Sequence, residues 1–271
     1  MKKRVAFQVV ALVAAFVCCV VVNSAYALKV NIDPPRVELT VKPGEEKNGF
    51  VTVQNYDETG TVHMKAYVQD LVYLPDGSND FLPPGSTPWS MGDNIKIGPT
   101  EFDIGPGKQE MVRYSISLPP DAKGGRYCVI FFEVTVPPAQ FQQVGANVNV
   151  RLGSVLLVTV ENTDILKAKL KAITVAKPKD AKPLTISCTV HNEGNILARP
   201  SGTATIIDVS KVKVVEIPIN KEKGGVLPDT NRVYTAEYKD APLKKGTYYA
   251  QIVLDYGGTT MLGGQTKFEI D

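Results

Sequence analysis

From Met111 to Leu118 the apolar residues Val112, Tyr114, Ile116 and Leu118 alternate with Arg113, Ser115 and Ser117. A two-residue period puts one face of a strand on a core and the other in water. Gly105-Pro106-Gly107 before this segment and Pro119-Pro120-Asp121 after it supply turn residues. From Tyr127 to Val136 the alternation gives way to a nearly unbroken apolar run. Such a run predicts a central strand covered on both faces. Gly125-Arg126-Tyr127 at its start has the form of a tyrosine corner, in which the hydroxyl ties back to nearby backbone.

Short segments of this kind, separated by turn residues about every eight to twelve positions, fill the rest of the chain. No amphipathic helix of any length interrupts them, so the pattern predicts an all-β protein. Early strands are expected at Lys29–Ile32, Arg36–Val41, Phe50–Asn55 and Thr61–Asp70. Pro34-Pro35 breaks the first two and lets the chain pass from one sheet to another. A long connection from Tyr73 to Asn94 holds Trp89 and is expected either to pack over a sheet or to bind something. The last strand of this half is expected at Ala146–Val160, and Glu161-Asn162-Thr163-Asp164 reads as a joint.

Beyond the joint, strands are expected at Leu166–Val175, Leu184–Asn192, Gly202–Val209, Val212–Ile219, Arg232–Tyr238, Thr247–Asp255 and Gln265–Ile270. Gly257-Gly258 and Gly263-Gly264 read as a hairpin between the last two. Gly246-Thr247-Tyr248 repeats the earlier corner, and Val190-His191-Asn192 ends an early strand as Val53-Gln54-Asn55 does. The expectation is two tandem immunoglobulin-like β-sandwich domains, residues 28–160 and 165–271.

Residues 1–27 have the form of a cleaved secretory signal. Lys2, Lys3 and Arg4 precede an apolar run from Val5 to Val22, and Ala25-Tyr26-Ala27 places small residues before a cut. Removing its three basic residues from the chain's 30 leaves 27 against 28 acidic ones. A near-neutral mature chain gives no general pull toward nucleic acid. It holds no further segment long and apolar enough to span a membrane. Cys128 and Cys188 remain, one in each half, and read as small core residues rather than an interdomain disulfide.

Residues 30 to 160 resemble the N-terminal domain of periplasmic pilus chaperones. The matching parts are Arg36 with its strand, the Gly44 turn, Gly105-Pro106-Gly107-Lys108 leading to Met111-Val112-Arg113, and Phe131-Phe132-Glu133-Val134 ending at Pro137-Pro138. Taken whole, residues 28 to 271 are similar to the extracellular part of the WxL-interacting cell-surface proteins. Those carry a chaperone-like sandwich followed by a second one with a corner like Leu243 to Tyr248.

Candidate chemistry is sparse. His63 and His191 stand in different halves, and no Cys/His/Asp cluster has metal-ligand spacing. No nucleophile elbow or phosphate loop occurs. The expectation is a non-catalytic protein without cofactor or metal.

A sandwich can instead recognise a partner through an open sheet edge. Val148, Val150 and Leu152 alternate with Asn147, Asn149 and Arg151 in the strand that pilus chaperones use to complete a subunit's sheet. The resemblance also implies a role for Arg36, which falls where the family has an arginine anchoring the subunit's C-terminal carboxylate. Arg151 falls approximately where the family has a lysine. Expected partners are therefore secreted or surface protein subunits, met in the periplasm or at the cell surface. The alternative is a wall-associated scaffold of the WxL-interacting kind, with Lys167, Lys169, Lys171, Lys177, Lys179 and Lys182 meeting a cell-wall polymer. The same lysines also suit protection of an edge strand.

Overall fold

The computed structural model describes residues 29–135, 150–178 and 183–271 of the chain. The signal read at 1–27, the residues from Ala146 through Val148 to Asn149, and Lys179 and Lys182 lie outside them.

The first sandwich contains β1 (Val30–Asp33), β2 (Arg36–Val41), β3 (Glu46–Asn55), β4 (Val62–Tyr73), β5 (Asn79–Leu82), β6 (Ile95–Gly98), β7 (Glu101–Ile104), β8 (Gln109–Ser117), β9 (Gly125–Thr135) and β10 (Arg151–Val160). One sheet has the order β1-β3-β8-β6; the other is β2-β10-β9-β4-β5, with β7 also paired to β4. The chain changes sheets at Pro34-Pro35, between β1 and β2, as the proline break predicts. Val51, Val53, Val112 and Ile116 of one sheet meet Met64, Ile130, Phe132, Leu156 and Val158 of the other in a dry core. Burying each such side chain is worth roughly 1.5–3 kcal/mol, so the two-residue period of β8 dictates which face turns inward.

The second sandwich contains β11 (Ala168–Ala176), β12 (Leu184–Asn192), β13 (Ser201–Asp208), β14 (Lys213–Ile219), β15 (Asn231–Tyr238), β16 (Gly246–Asp255) and β17 (Leu262–Ile270). Its sheets are β11-β12-β15 and β14-β13-β16-β17. Leu184, Ile186, Cys188 and Val190 of β12 face Ala204, Ile206, Ala250, Ile252 and Leu254 across a second core. Gly263 and Gly264, expected in the last hairpin, lie inside β17. The other sheet comes close there: a Cβ on Gly264 would sit 3.0 Å from side-chain atoms of Ile173 and Leu170. The fold is two tandem immunoglobulin-like β-sandwiches.

Both halves fasten an early strand in the same way. Asn55, buried at the end of β3, donates from Nδ2 to the carbonyls of Gly60 and Ile104 at 2.7 and 3.0 Å. Its Oδ1 accepts from the Asp57 amide at 2.9 Å. Asn192, buried at the end of β12, donates to the carbonyls of Ile196 and Val226 at 2.7 and 2.9 Å and accepts from the Gly194 amide at 2.9 Å. An amide side chain suits this task because it carries two donors and an acceptor at one point.

The tyrosine corners differ. Tyr248 hydroxyl donates to the Lys244 carbonyl at 2.9 Å, closing a corner within its own sandwich. Tyr127 does not close one. Its hydroxyl accepts from the Leu197 amide of the second sandwich at 2.7 Å. The physical reason is what covers each ring, since the outer face around Tyr127 is roofed by the other sandwich.

That roof is well tied. The Gly125 amide donates to the Asn195 carbonyl at 2.8 Å, and the Val233 amide to the Pro75 carbonyl at 2.7 Å. Asn195 also accepts from the Ile165 amide and donates to the Thr163 carbonyl, so one residue gathers the joint. Gly124 has φ of +71°, and a Cβ there would meet the Asn195 carbonyl oxygen at 2.6 Å. Only glycine allows that approach.

Candidate protein-binding site

Strand β10 lies between β9 and β2, and the two neighbours cover different lengths of it. Against β9 it pairs from Arg151 to Thr159, but against β2 only from Val155, opposite Arg36, to Val160. The Val134 amide donates to the Val150 carbonyl, and the Val155 amide donates to the Pro35 carbonyl. Alternation of backbone groups along a strand then turns the N–H and C=O of residues 152 and 154 toward β9. Those of Arg151 and Gly153 face the β2 side, where no strand lies among the described residues. Continuing the β2 ladder one step upstream would require an N–H from Pro35, and proline has none.

Side chains alternate along the same stretch. Leu152 packs against the first core, and Ser154 donates from its hydroxyl to the Pro34 carbonyl at 2.7 Å. Val150, two positions before Leu152, is partly buried and shares its face. Arg151, Val155 and Leu157 turn to the outer face of the sheet. There Leu71, Trp89, Tyr127, Val129, Phe131, Leu157 and Leu227 make a third buried cluster, flanked by Tyr73 and Leu197.

Trp89 therefore belongs to the roof of the first sandwich. Its indole N–H donates to the Leu71 carbonyl at 3.0 Å. Buried Asp70 holds the loop, accepting from the Thr87 amide at 2.9 Å and the Ser90 hydroxyl at 2.6 Å. The connection from Tyr73 to Asn94 also holds β5, four residues long and too short to show a period.

Arg36 and Arg151 share the outer face but not their surroundings. The guanidinium of Arg151 lies 4.4 Å from the Phe131 ring centroid and 5.3 Å from that of Phe81, and donates to Gln69 Oε1 at 3.2 Å. Beside it Tyr67 donates to Glu133 at 2.8 Å, and burial raises the pKa of the Tyr67 hydroxyl. Stacking on two rings holds the planar Arg151 head over an apolar bracket. Arg36 starts β2 about four strand positions away, roughly 13 Å along the sheet. It is exposed, and its charged neighbour is Glu38 at 4.0 Å.

The second sandwich adds two arginines that the sequence did not single out. Arg199 reaches across to Glu38 at 2.8 Å. Arg232 lies 5.7 Å from the Tyr73 ring centroid and donates to the Gly225 carbonyl at 2.6 Å. Burial lifts the Tyr73 pKa, while Arg36, Arg199 and Arg232 act on it in the opposite sense. Cations of both sandwiches thus act on one tyrosine, and Glu38 acts against them. No sequence signal joins residues so far apart in the chain.

The remaining candidates are accounted for locally. Among the described residues no group of three or more His, Cys, Asp or Glu could hold a metal ion. His63 lies 2.7 Å from Asp103, and His191 Nδ1 lies 3.0 Å from the Thr230 carbonyl. Cys128 and Cys188 are free and buried, and desolvation raises both thiol pKa values, that of Cys188 to about 11. Lys169 and Lys171 are exposed on β11, an edge strand bulged between Leu170 and Ala172. Lys167 pairs with Glu193 at 3.0 Å. Charge and bulge on an edge strand suit the protective role. No helix among the described residues is long and apolar enough to cross a membrane.

No protein-family model matches the chain, and no curated protein is significantly similar to it in sequence. Solved structures do match, over most of its length. Pilus chaperones are among them. The YadV chaperone is 11% identical, with 89% of this chain and 100% of that one covered at a TM-score of 0.47. The Escherichia coli chaperone DraB is 16% identical, covering 90% and 96% at 0.43. A chain of the Salmonella enterica SafA pilin–SafB chaperone complex is 13% identical, covering 89% and 98% at 0.44. Likeness at that level bears on no single residue or ligand of this chain.

Proposed function

We propose that this chain binds an extended segment of another exported protein by pairing backbone with the open stretch of β10, as an assembly factor of the pilus-chaperone kind. The observation that carries the reading is that no strand among the described residues pairs with Arg151 and Gly153 on the β2 side, before β2 begins. An incoming strand gains main-chain hydrogen bonds there, and its alternate side chains supply selectivity. On the inner side those side chains extend the row of Val150 and Leu152.

Geometry favours one direction. A strand added parallel to β10, in line with β2, ends head-on against Pro34-Pro35. Its terminal carboxylate then arrives beside Arg36, whose fork of donors suits a carboxylate. Arg151, four positions upstream, borders the ligand's outer face through its aromatic bracket. A wall-polymer role draws no support from Lys169 and Lys171 on a bulged edge or from Lys167, which pairs with Glu193.

The test uses an N-acetylated peptide of about ten alternating Thr and Val residues, long enough for one strand. Calorimetric titration of the full mature chain should show binding, weakened about tenfold by Arg36→Ala for the free acid and little for its C-terminal amide. Equal affinity of the variant and the parent for the free acid would remove Arg36 from the site.

A further inference from the structure

Glu38 and Arg36 stand two residues apart on the outward face of β2, and Arg199 comes from the second sandwich. Among the described residues, Glu38 is the only acidic group within ion-pair distance of either arginine. One of its carboxylate oxygens takes both contacts, at 4.0 Å from Arg36 and 2.8 Å from Arg199. Arg232 adds a third cation at Tyr73. It is fixed by the Gly225 carbonyl and by rings of Tyr73 and Tyr234, at 5.7 and 5.4 Å. One carboxylate therefore serves a cluster of positive charge that a second could also satisfy.

The position matters as much as the count. A strand laid against Gly153 and running toward Arg36 delivers its last residue to this cluster. Glu38 is half-exposed, at 51%, so swinging it into water costs little. Arg199 is more covered, at 31%, and its one charged partner among the described residues is Glu38.

Resting on the strand-edge role, we propose that Glu38 is an internal stand-in for the ligand's carboxylate, held by Arg36 and Arg199 until an incoming chain terminus displaces it. Arg199 is thereby a second anchoring residue, contributed by the other sandwich. When the exchange occurs, a contact that ties the two sandwiches becomes a contact to the ligand. The device selects against segments without a free terminus, because an amide cannot replace the carboxylate it removes.

The experiment compares the full mature chain with Glu38→Gln, which keeps the shape and loses the charge. Each is titrated with the alternating Thr-Val peptide as free acid and as C-terminal amide. The expected result is that Glu38→Gln binds the acid about three- to fivefold more tightly, the size of an exposed ion pair, and the amide unchanged. Arg199→Ala should weaken the acid alone. An acid affinity unchanged or lowered by Glu38→Gln, with both peptides still binding, would overturn this inference and leave the strand-edge role standing. Binding of neither peptide to either protein would overturn both.

Discussion

In the first sandwich, β10 runs past the end of β2 and leaves Arg151 and Gly153 facing a side with no strand among the described residues. In the second, the edge strand β11 carries exposed Lys169 and Lys171 and a bulge, and the edge strand β14 carries Pro218. Both halves fasten an early strand with a buried asparagine, so they share a plan for folding. They differ in how each edge is finished. Lysine, bulge and proline are the means by which a sheet refuses another strand. At Arg151 and Gly153 none of the three stands in the strand itself, which suits the strand-edge role proposed for it.

The shared plan is the first thing to test. Asn55→Ala and Asn192→Ala each leave buried carbonyls without donors, and each should cost about 2–4 kcal/mol by chemical denaturation. A loss in only one of them would show that the two halves are not built alike.

The corners sharpen the difference. Tyr127→Phe takes the acceptor from the Leu197 amide at the junction and should cost about 1–3 kcal/mol, whereas Tyr248→Phe at an exposed corner should cost under about 1 kcal/mol. Equal costs would mean that the junction bond adds nothing.

Alkaline pH probes the same tyrosine. Burial pushes the Tyr127 hydroxyl up to about 12 from 10.0, so the folded state keeps a proton that the unfolded state releases. The stability this gives is full below pH 10 and lost as pH rises through about 12, an effect of about 3 kcal/mol at most. Tyr127→Phe should flatten that part of the pH profile of the denaturation midpoint; an unchanged slope would assign the loss to other groups.

The smallest expected effect is at the guarded edge. Lys169→Val with Lys171→Val should move stability by under about 0.5 kcal/mol yet promote self-association on a sizing column. A variant that stays monomeric would deny those lysines their protective part.

Much of this architecture was legible in the sequence, because a dry core on one face forces the two-residue period seen in β8 and β12. The repeat was legible too, in Asn55 and Asn192 and in the two glycine–tyrosine corners. The partner of Tyr127 was not, since the same three-residue pattern closes a local bond at Tyr248 and reaches another sandwich at Tyr127. Nor were Arg199 and Arg232, which come near Tyr73 only because the two sandwiches meet there. β5 escaped notice at four residues. Arg36 and Arg151 were found through family resemblance rather than spacing, and the structure sets them in separate surroundings.

Amide hydrogen exchange along β10, with and without the alternating peptide, tests the strand-edge role most directly. In the free protein, Arg151 and Gly153 should exchange quickly while Leu152 and Ser154, turned toward β9, exchange slowly. Saturating peptide should slow Arg151 and Gly153 and leave the other two as they were. Bound peptide with Arg151 and Gly153 still exchanging freely would place the ligand elsewhere and contradict the account.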